Sequence, residues 1–276
     1  MMEKLKIKSD HLIKLNGTFN TRDLGGYSTI SGKIIKSKRL LRSDDLYKLT
    51  SSDINVLVDD YHLNTIIDFR NSNERQKRPD KLIPGANYYI LSPDDETAVI
   101  ASSSLNDDRR KIDHLISLNR QGKLILDNDG LKKGMINFVT QSSSQTIYRK
   151  MLDLCIARPD AVVLEHCRGG KDRTGYGTAL ILFALGVDSQ TVIKDYLMTA
   201  HYNNQRNKRR MDEYRRYTND RTILEYLASA MATRREVIQA GIDKMTELAG
   251  SPIQYIETVL GFDKEHIKIM RQMYLE

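Results

Sequence analysis

The strongest pattern of apolar and polar positions lies between residues 161 and 186. Residues 161–164 form a short, β-rich apolar run, which is typical of a central strand covered on both faces. Residues 174–185 form a longer apolar run of helical length, and Gly186 follows it as a helix-ending residue. The pattern predicts a strand, a tight loop and a helix, with Cys167 at the carboxyl end of the strand.

The remaining elements follow from the same kind of pattern. Residues 11–49 alternate short apolar runs with glycine-containing turns, which predicts a β-rich segment. Further strands are predicted over 65–69 and 86–91, and helices over 50–61, 135–141, 144–157, 189–202, 203–217 and within 224–249 and 252–275. This order predicts one α/β domain over residues 1–276, with a largely parallel sheet flanked by helices and a helical C-terminal half.

Residues 97–133 interrupt this order and are interpreted as an insertion that covers the site. The segment has a helical pattern at Ile112, Leu115, Ile116 and Asn119, followed by a break at Gly122. Residues 127–130 resemble part of a calcium-binding loop, but the glutamate that closes such loops is missing. We therefore interpret 127–130 as a plain turn.

The net charge of +7, from 43 basic and 36 acidic residues, suits an anionic substrate or an anionic membrane surface. Six of the basic residues lie close together in residues 203–217, either as a solvated helix face or as a contact for acidic head groups. The chain has no tryptophan and no basic stretch interleaved with aromatic residues, so a nucleic-acid partner is not expected.

The cysteine content and the N-terminal residues bear on whether the protein is disulfide-rich, metal-binding, secreted or membrane-spanning. Two cysteines do not form a disulfide framework, the few Cys and His residues show no metal-ligand spacing, and Cys155 is expected in the core. The charged N-terminus is not followed by an apolar segment, and no run is long enough to span a membrane. A cytoplasmic location is the default expectation, with neither metal nor cofactor.

The loop after the predicted strand combines several features of one chemistry. Gly169 and Gly170 allow backbone N–H groups to converge on a tetrahedral oxyanion at a helix N-terminus. The same positive field lowers the pKa of a thiol, which makes Cys167 a candidate nucleophile. Arg173 can hold two oxygens of a transferred group with its planar fork. Lys171 adds a second positive charge in this loop.

Three further loop residues are candidates for substrate contact or proton transfer. Asp172 can donate or accept a proton within the loop. Arg168 is expected to shape specificity together with Lys171, and Thr174 at the helix start is a further candidate for phosphate binding. Cys167, Arg173 and Asp172 therefore form the predicted catalytic set.

Residues 166–175, His-Cys-Arg-Gly-Gly-Lys-Asp-Arg-Thr-Gly, resemble the His-Cys-x5-Arg signature of cysteine-dependent tyrosine/lipid phosphatases of bacteria and fungi. Residues 22–26, Arg-Asp-Leu-Gly-Gly, are similar to an upstream motif of that family. A turn pinned by an Arg22–Asp23 pair and a substrate-facing role are equally open for this motif. Weaker similarity occurs at residues 41–46 and 66–70, the latter with Glu74. The resemblance implies a phosphatase fold with Cys167 as nucleophile, Arg173 as phosphate ligand and Asp172 as general acid.

The resemblance leaves some assignments open. Related phosphatases take the general acid from a mobile loop, so Asp94 or Asp95 is an alternative to Asp172. Support of the loop is the expected role of His166, Asp68 and Arg70. The substrate is expected to be a phosphorylated protein or a phosphoinositide, and export by another route is an alternative to the cytoplasm.

We therefore expect a metal-independent phosphomonoester hydrolase that uses a phosphocysteine intermediate. One alternative is a silent phosphate-binding module, which would not need both Cys167 and Arg173. Another is a thiol-based sulfurtransferase or arsenate reductase, for which Cys155 is the one further thiol.

Overall fold

A computed structural model of the protein describes residues 11–93, 105–124 and 129–276. Within these ranges five strands form one sheet: β1 Arg22–Asp23, β2 Leu40–Ser43, β3 Thr65–Asp68, β4 Asn87–Ile90 and β5 Val163–His166. The strand order is β1-β2-β5-β3-β4, with β1 antiparallel to β2 and the other pairings parallel. The predicted α/β class is confirmed, and β5 is the central strand.

The helices of the described residues surround this sheet and make up most of the C-terminal half. They are α1 Ser51–Asn55, α2 Ser72–Lys77, α3 Leu105–Arg120, α4 Asp129–Thr140, α5 Ser142–Ile156, α6 Asp172–Leu185, α7 Ser189–Tyr202, α8 Asn204–Arg215, α9 Arg221–Met231, α10 Arg235–Ala249, α11 Pro252–Thr258 and α12 Lys264–Tyr274. Helix α6 is buried from Arg173 to Leu185, which explains its uninterrupted apolar run.

Both faces of the sheet are covered. Successive side chains of a strand point to opposite faces, so Ile67 and Val163 join the larger core around α6, whereas Ile66 and Leu164 join a smaller core on the other face. Cys155 belongs to the larger core and is fully buried, as expected.

Helices α3, α8 and α9 form a separate small cluster beside the larger core. Its buried members are Ile112, Leu115, Tyr214, Ile223 and Leu227. The helix predicted around residues 112–119 is confirmed as α3. The wider insertion proposed at 97–133 lies only partly within the described residues.

Some predicted helices are broken where the backbone leaves the helical conformation. The helix predicted over 50–61 consists of α1 and a π-helical turn at Val56–Asp60. Region 224–249 divides at Ala232, whose ψ of 143° is extended, and region 252–275 divides near Gly261, whose φ is 70°. The turn predicted at 127–130 lies mostly outside the described residues, and Gly130 is in α4.

Candidate active site

Cys167 lies at the carboxyl edge of the sheet, directly after β5. The last residues of three parallel strands, Ser43, His166 and Asp68, are paired side by side at this edge. Cys167 is only 3% exposed, and α6 begins five residues later at Asp172. The predicted position of Cys167, at the carboxyl end of the strand, is confirmed. Open α/β sheets bind ligands at this edge.

The loop between β5 and α6 turns its carbonyl groups outward. The carbonyl oxygens of residues 168–170 accept hydrogen bonds from donors outside the loop: Asp45 N at 3.3 Å for Arg168, Asn203 Nδ2 at 2.7 Å for Gly169, and Asn20 Nδ2 at 3.0 Å and Arg42 Nη2 at 2.8 Å for Gly170. Because C=O and N–H of one trans peptide point in opposite directions, the amides of residues 169–171 point inward. They form the cradle expected for an oxyanion.

Gly170 is needed for this loop conformation. Its φ is 58°, in the left-handed region that residues with a Cβ rarely adopt. A Cβ at this position would also lie 2.5 Å from the carbonyl oxygen of Ser43 at the end of β2. The glycine therefore allows both the turn of the loop and its close contact with the neighbouring strand.

The environment of Cys167 favours the thiolate. Burial opposes ionisation, but the charge of Arg173 and the neighbouring Thr174 at the start of α6 outweigh it, so the pKa of the thiol is lowered. Glu74 acts in the opposite direction through its negative charge. A lowered pKa and a fixed cation beside the sulfur are the features that a cysteine nucleophile requires.

Arg173 is held by two residues, which leave one edge of its guanidinium available. Its Nη1 donates to Phe69 O at 3.0 Å and to Glu74 Oε2 at 2.6 Å, and its Nη2 donates to Glu74 Oε1 at 2.8 Å. These bonds use three of the five N–H groups of a guanidinium. Nε–H and the second Nη2–H remain, and together they form a fork suited to two phosphate oxygens.

Glu74 is itself fixed by the start of α2. Its side chain accepts a hydrogen bond from Asn71 N at 3.0 Å, and Asn71 Oδ1 accepts one from Glu74 N at 2.9 Å, which is a capping box. Interaction with Arg173 lowers the pKa of Glu74 despite its burial. The helix start thus sets the orientation of Arg173.

Asp172 is the first residue of α6 and is one-third exposed, with a side-chain exposure of 33%. Its Oδ1 accepts a hydrogen bond from the Tyr196 hydroxyl at 3.1 Å. Lys171 Nζ lies 3.3 Å from Asp172 Oδ2 and donates to the carbonyl oxygens of Ala230 and Ala232 at 2.9 and 3.1 Å. The ammonium group of Lys171 therefore already has three protein partners: two carbonyl oxygens at the end of α9 and the carboxylate of Asp172.

His166 lies below the loop in a buried charge network. Its Nε2 is 3.2 Å from Asp80 Oδ2 and 3.8 Å from Asp68 Oδ1. Burial opposes protonation, but the charges of Asp80 and Asp68 raise the pKa of His166 to about 9. Arg70 Nη2 binds Asp68 at 2.8 Å and Asp80 at 2.5 Å. Because Arg70 already provides a cation between these carboxylates, the network does not fit a metal ion.

A second buried network supports the loop from the other side. Arg22 and Arg42 both pair with Asp195 of α7, and Arg42 also binds Gly170 O. Asp23 accepts hydrogen bonds from backbone amides of Gly25 and Lys38. The Arg-Asp-Leu-Gly-Gly motif is therefore a structural turn, although Arg22 pairs with Asp195 and not with Asp23.

A family model described as the tyrosine phosphatase family matches residues 13–276. The chain belongs to this family. It is 29% identical over 196 residues to the triple specificity protein phosphatase PtpB of Mycobacterium tuberculosis, which covers 67% of each chain. It is 26% identical over 168 residues to a tyrosine-protein phosphatase of Nostoc commune, covering 61% of this chain and 50% of the relative. The protein is thus a tyrosine-phosphatase-like hydrolase, whose substrates are phosphorylated.

The phosphatase has a cavity of about 250 Å³ above Cys167. Its walls come from the loop, from α4, and from the cluster of α3, α8 and α9. The basic run of α8 is divided between cavity and solvent: Arg206 and Arg210 line the cavity, whereas Lys208, Arg209, Arg215 and Arg216 are exposed. The interpretation of residues 203–217 as a solvated helix face therefore applies only to the four exposed basic residues.

The structure brings most of the predicted site residues together. The loop residues among them that line the cavity are Cys167, Arg168, Gly169, Lys171, Asp172 and Arg173. Gly170 is held by Asn20 and Arg42 through its carbonyl oxygen, and Thr174 lies in the first turn of α6, where it contributes to the lowered pKa of the thiol. His166, Asp68 and Arg70 form the network below it. Asp94 and Asp95 lie outside the described residues.

Several contributing residues were not predicted to have a role. Glu74 was noted only as part of the resemblance, although Asn71 and Glu74 also have the spacing of a capping box. Asp80, Asn20 and Asp195 carry no local signal, because their contacts with His166, Gly170 and Arg42 join residues that are distant in the chain. Across the three described ranges, no helix has both the length and the apolar character needed to cross a membrane.

Proposed function

We propose that the protein hydrolyses phosphomonoesters without a metal ion, through a phosphocysteine intermediate on Cys167. The observation that carries this proposal is a buried thiol of lowered pKa beneath inward-facing amides and the available edge of Arg173. Each of these groups has a part in the transfer of a phosphoryl group.

In the first step the Cys167 thiolate attacks phosphorus, a sulfur–phosphorus bond forms, and the bond to the leaving oxygen breaks. The loop amides and the Nε–H and Nη2–H groups of Arg173 bind the non-bridging oxygens while charge is redistributed. In the second step water attacks phosphorus, and the sulfur leaves as the thiolate. Inorganic phosphate is released and the enzyme is restored.

Asp172 is our choice for the group that protonates the leaving oxygen and then accepts a proton from water. It lines the cavity with Cys167, is partly exposed, and is oriented by the Tyr196 hydroxyl. Asp94 and Asp95 are the alternatives. A general acid of this kind contributes about 10²- to 10⁴-fold to the rate.

We propose phosphotyrosine in proteins and phosphoinositides as substrates, the latter at an anionic membrane surface. The cationic lining of the cavity and the similarity to a phosphatase named for triple specificity support this breadth. Lys171 supports it less than the sequence indicated, because its ammonium group already binds protein acceptors.

The alternative functions have less support. A silent phosphate-binding module needs no ionised thiol, yet the pKa of Cys167 is lowered. An arsenate reductase needs an accessible second thiol, whereas Cys155 is fully buried and burial raises its pKa.

The nucleophile is tested with p-nitrophenyl phosphate in the presence of EDTA. We expect the Cys167→Ser variant to lose turnover while still binding phosphate, because the amide cradle is retained and serine is a much weaker nucleophile. The control is Cys155→Ala, which removes the other thiol. Residual activity of Cys167→Ser above about 1%, or loss of wild-type activity in EDTA, would contradict the mechanism.

The general acid is tested by comparing Asp172→Asn with Asp94→Asn and Asp95→Asn. We expect Asp172→Asn to lower turnover about 10²- to 10⁴-fold, with a greater loss on alkyl phosphates than on p-nitrophenyl phosphate, because an alcohol leaves poorly without a proton. A large loss in Asp94→Asn or Asp95→Asn with little loss in Asp172→Asn would move the role to that loop.

A further inference from the structure

The side chain of Asn20 joins the N-terminal segment to the loop after β5. Asn20 is fully buried, and its Nδ2 donates to Gly170 O at 3.0 Å and, at the longer distance of 3.4 Å, to Gly169 O. The C=O and N–H of one trans peptide point in opposite directions. A donor that holds these two carbonyl groups outside the loop therefore directs the amides of residues 170 and 171 into the cradle.

Asp44 holds the backbone from which this side chain extends. It follows the last residue of β2 and is 4% exposed. Its Oδ1 accepts hydrogen bonds from Phe19 N at 3.1 Å and from Asn20 N at 3.0 Å, and its Oδ2 lies 3.2 Å from Phe19 N. A buried backbone amide needs an acceptor, so the carboxyl group of Asp44 fixes where Asn20 lies relative to the loop.

The surroundings of Asp44 favour an oxygen acceptor over a negative charge. Burial and the charge of Asp45 raise the pKa of Asp44 to about 6, and the charge of Arg206 and the two amides oppose this shift only in part. Because Oδ1 accepts from both amides, protonation of Oδ2 leaves each amide with an acceptor. A negative charge beside a cradle for anions also opposes anion binding. The contribution of Asp44 is therefore the position of one oxygen atom.

We propose that Asp44 is a positioning residue of the loop, which holds the backbone of Phe19 and Asn20 so that Asn20 keeps two amides of the cradle pointing inward. This role rests on the proposed function, in which the cradle binds the oxygens of the phosphoryl group. Asp44 itself does not touch the substrate. It acts through Asn20.

The test measures the binding of sulfate, a tetrahedral anion like phosphate, to the Cys167→Ser variant by calorimetric titration. Asp44→Ala and Asp44→Asn remove the same negative charge, but asparagine keeps an oxygen that can accept from both amides. We expect Asp44→Ala to raise the Kd for sulfate about 3- to 10-fold, the effect of one hydrogen bond. Arg42 still binds Gly170 O in this variant, so the cradle is loosened and not lost.

Asp44→Asn should leave the Kd for sulfate equal to that of the reference variant or lower it. If Asp44 acted by its charge alone, alanine and asparagine would lower the Kd alike, and the positioning role would be overturned. If Asp44→Ala does not fold, the other variants decide: a rise in Kd for Asp44→Asn, or no rise for Asn20→Ala, overturns the role.

A double-mutant cycle tests whether Asp44 acts through Asn20. Asn20→Ala removes the donor to the two carbonyl groups and should raise the Kd for sulfate by itself. Because Asp44 then has no side chain to position, adding Asp44→Ala to Asn20→Ala should raise the Kd no further. Additive effects would show that Asp44 acts by another path and would overturn the link through Asn20.

Asp53 provides a matched control on the same segment. It is 2% exposed, and its carboxylate accepts hydrogen bonds from Asn16 N at 2.8 Å and Gly17 N at 2.9 Å. Asp53→Ala removes an equal charge and should lower the melting temperature, but it should leave the Kd for sulfate unchanged. A rise in Kd equal to that of Asp44→Ala would show that anion binding follows the stability of the segment, which would overturn the positioning role.

Failure of the positioning role and failure of the proposed function give different results. If wild type does not hydrolyse p-nitrophenyl phosphate, the proposed function is overturned. If wild type hydrolyses it, but Asp44→Ala binds sulfate as tightly as the reference variant, the role of Asp44 is overturned and the hydrolase remains. If the reference variant binds no sulfate, the cradle is not an anion site and both are overturned.

Discussion

The Glu74→Gln substitution separates two ways in which the site could depend on Arg173. In the structure Arg173 lowers the pKa of Cys167 by its charge, and it also presents Nε–H and Nη2–H in a fixed direction. Charge effects decrease slowly with distance. The alignment of the Arg173 guanidinium with two oxygens, by contrast, is lost on a small rotation. Glu74 fixes this alignment by accepting two hydrogen bonds from Arg173, whereas the side-chain amide of a glutamine at this position has one oxygen and could accept only one of them in the same geometry.

The expected magnitudes follow from these contacts. Both Arg173 and Glu74 are buried, with exposures of 5% and 3%, and loss of one partner of a buried pair costs about 3–5 kcal/mol of folding stability. For a protein of this size that corresponds to a decrease in melting temperature of about 5–9 °C. Misalignment of Arg173 by about 1 Å should lower turnover about 10²-fold.

The pKa of the Cys167 thiol should not rise in this variant, although turnover falls. The negative charge of Glu74 raises the pKa of Cys167, so its removal should leave that pKa equal or lower, provided that Phe69 O keeps Arg173 nearby. The assay combines kcat on p-nitrophenyl phosphate, the pH dependence of alkylation by iodoacetamide, and thermal unfolding. Glu247→Gln, which removes an exposed carboxylate paired with Lys244, is the control.

Two results would refute this account of Glu74. A kcat within about twofold of wild type would show that orientation of Arg173 is not limiting. A rise in the pKa of Cys167 that accounts for the whole loss of activity would show that Arg173 acts mainly by activating the thiol.

Two further predictions concern the loop and the strand before it. Gly170→Ala should abolish turnover and lower the melting temperature, because its φ is 58° and a Cβ would meet Ser43 O. The control is Gly122→Ala, which has a φ of 67° but open space around a Cβ, so it should lower the melting temperature only by the backbone strain. An equal decrease in melting temperature in the two variants would contradict the clash. Burial raises the pKa of Glu165 to about 8 against the opposing effects of Thr178 and Arg42, so its contribution to stability is complete below about pH 4.5 and is lost as the pH rises to about 8. Glu165→Gln should therefore gain a few kcal/mol over wild type in urea unfolding at pH 8 but not at pH 5, and parallel curves would contradict this.

Local sequence signals predicted the elements that carry the chemistry. The apolar run before Cys167, the two glycines after it, and the buried helix ending at Gly186 each act over a few residues, so they can be read from the chain alone. The role of Glu74 could not be predicted in the same way. It is 99 residues from Arg173, and the two meet only because β3 and β5 are paired.

Lys171 shows a further limit of local reasoning. The sequence indicates a cation in the loop, but the direction of its side chain depends on α9, whose final carbonyl groups are 59 and 61 residues away. Arg206 shows the converse case. It belongs to a basic run that resembles a solvated helix face, yet the packing of α8 beside the loop brings it to Gly169.

The loop is therefore held from several directions by groups that are remote in the chain. Arg42 and Asn20 bind Gly170 O from the N-terminal segment, and Asn203 binds Gly169 O from the end of α7. Each bond keeps a carbonyl outside the cradle and so keeps the attached amide inside it. An isolated loop peptide would lack these donors, and it would lose conformational entropy when its amides converged on a ligand. In the folded protein that entropy is already lost on folding. The orientation of the amides around Cys167 is thus a property of the folded chain. Donors that are fixed before a ligand binds need no reorganisation when it does.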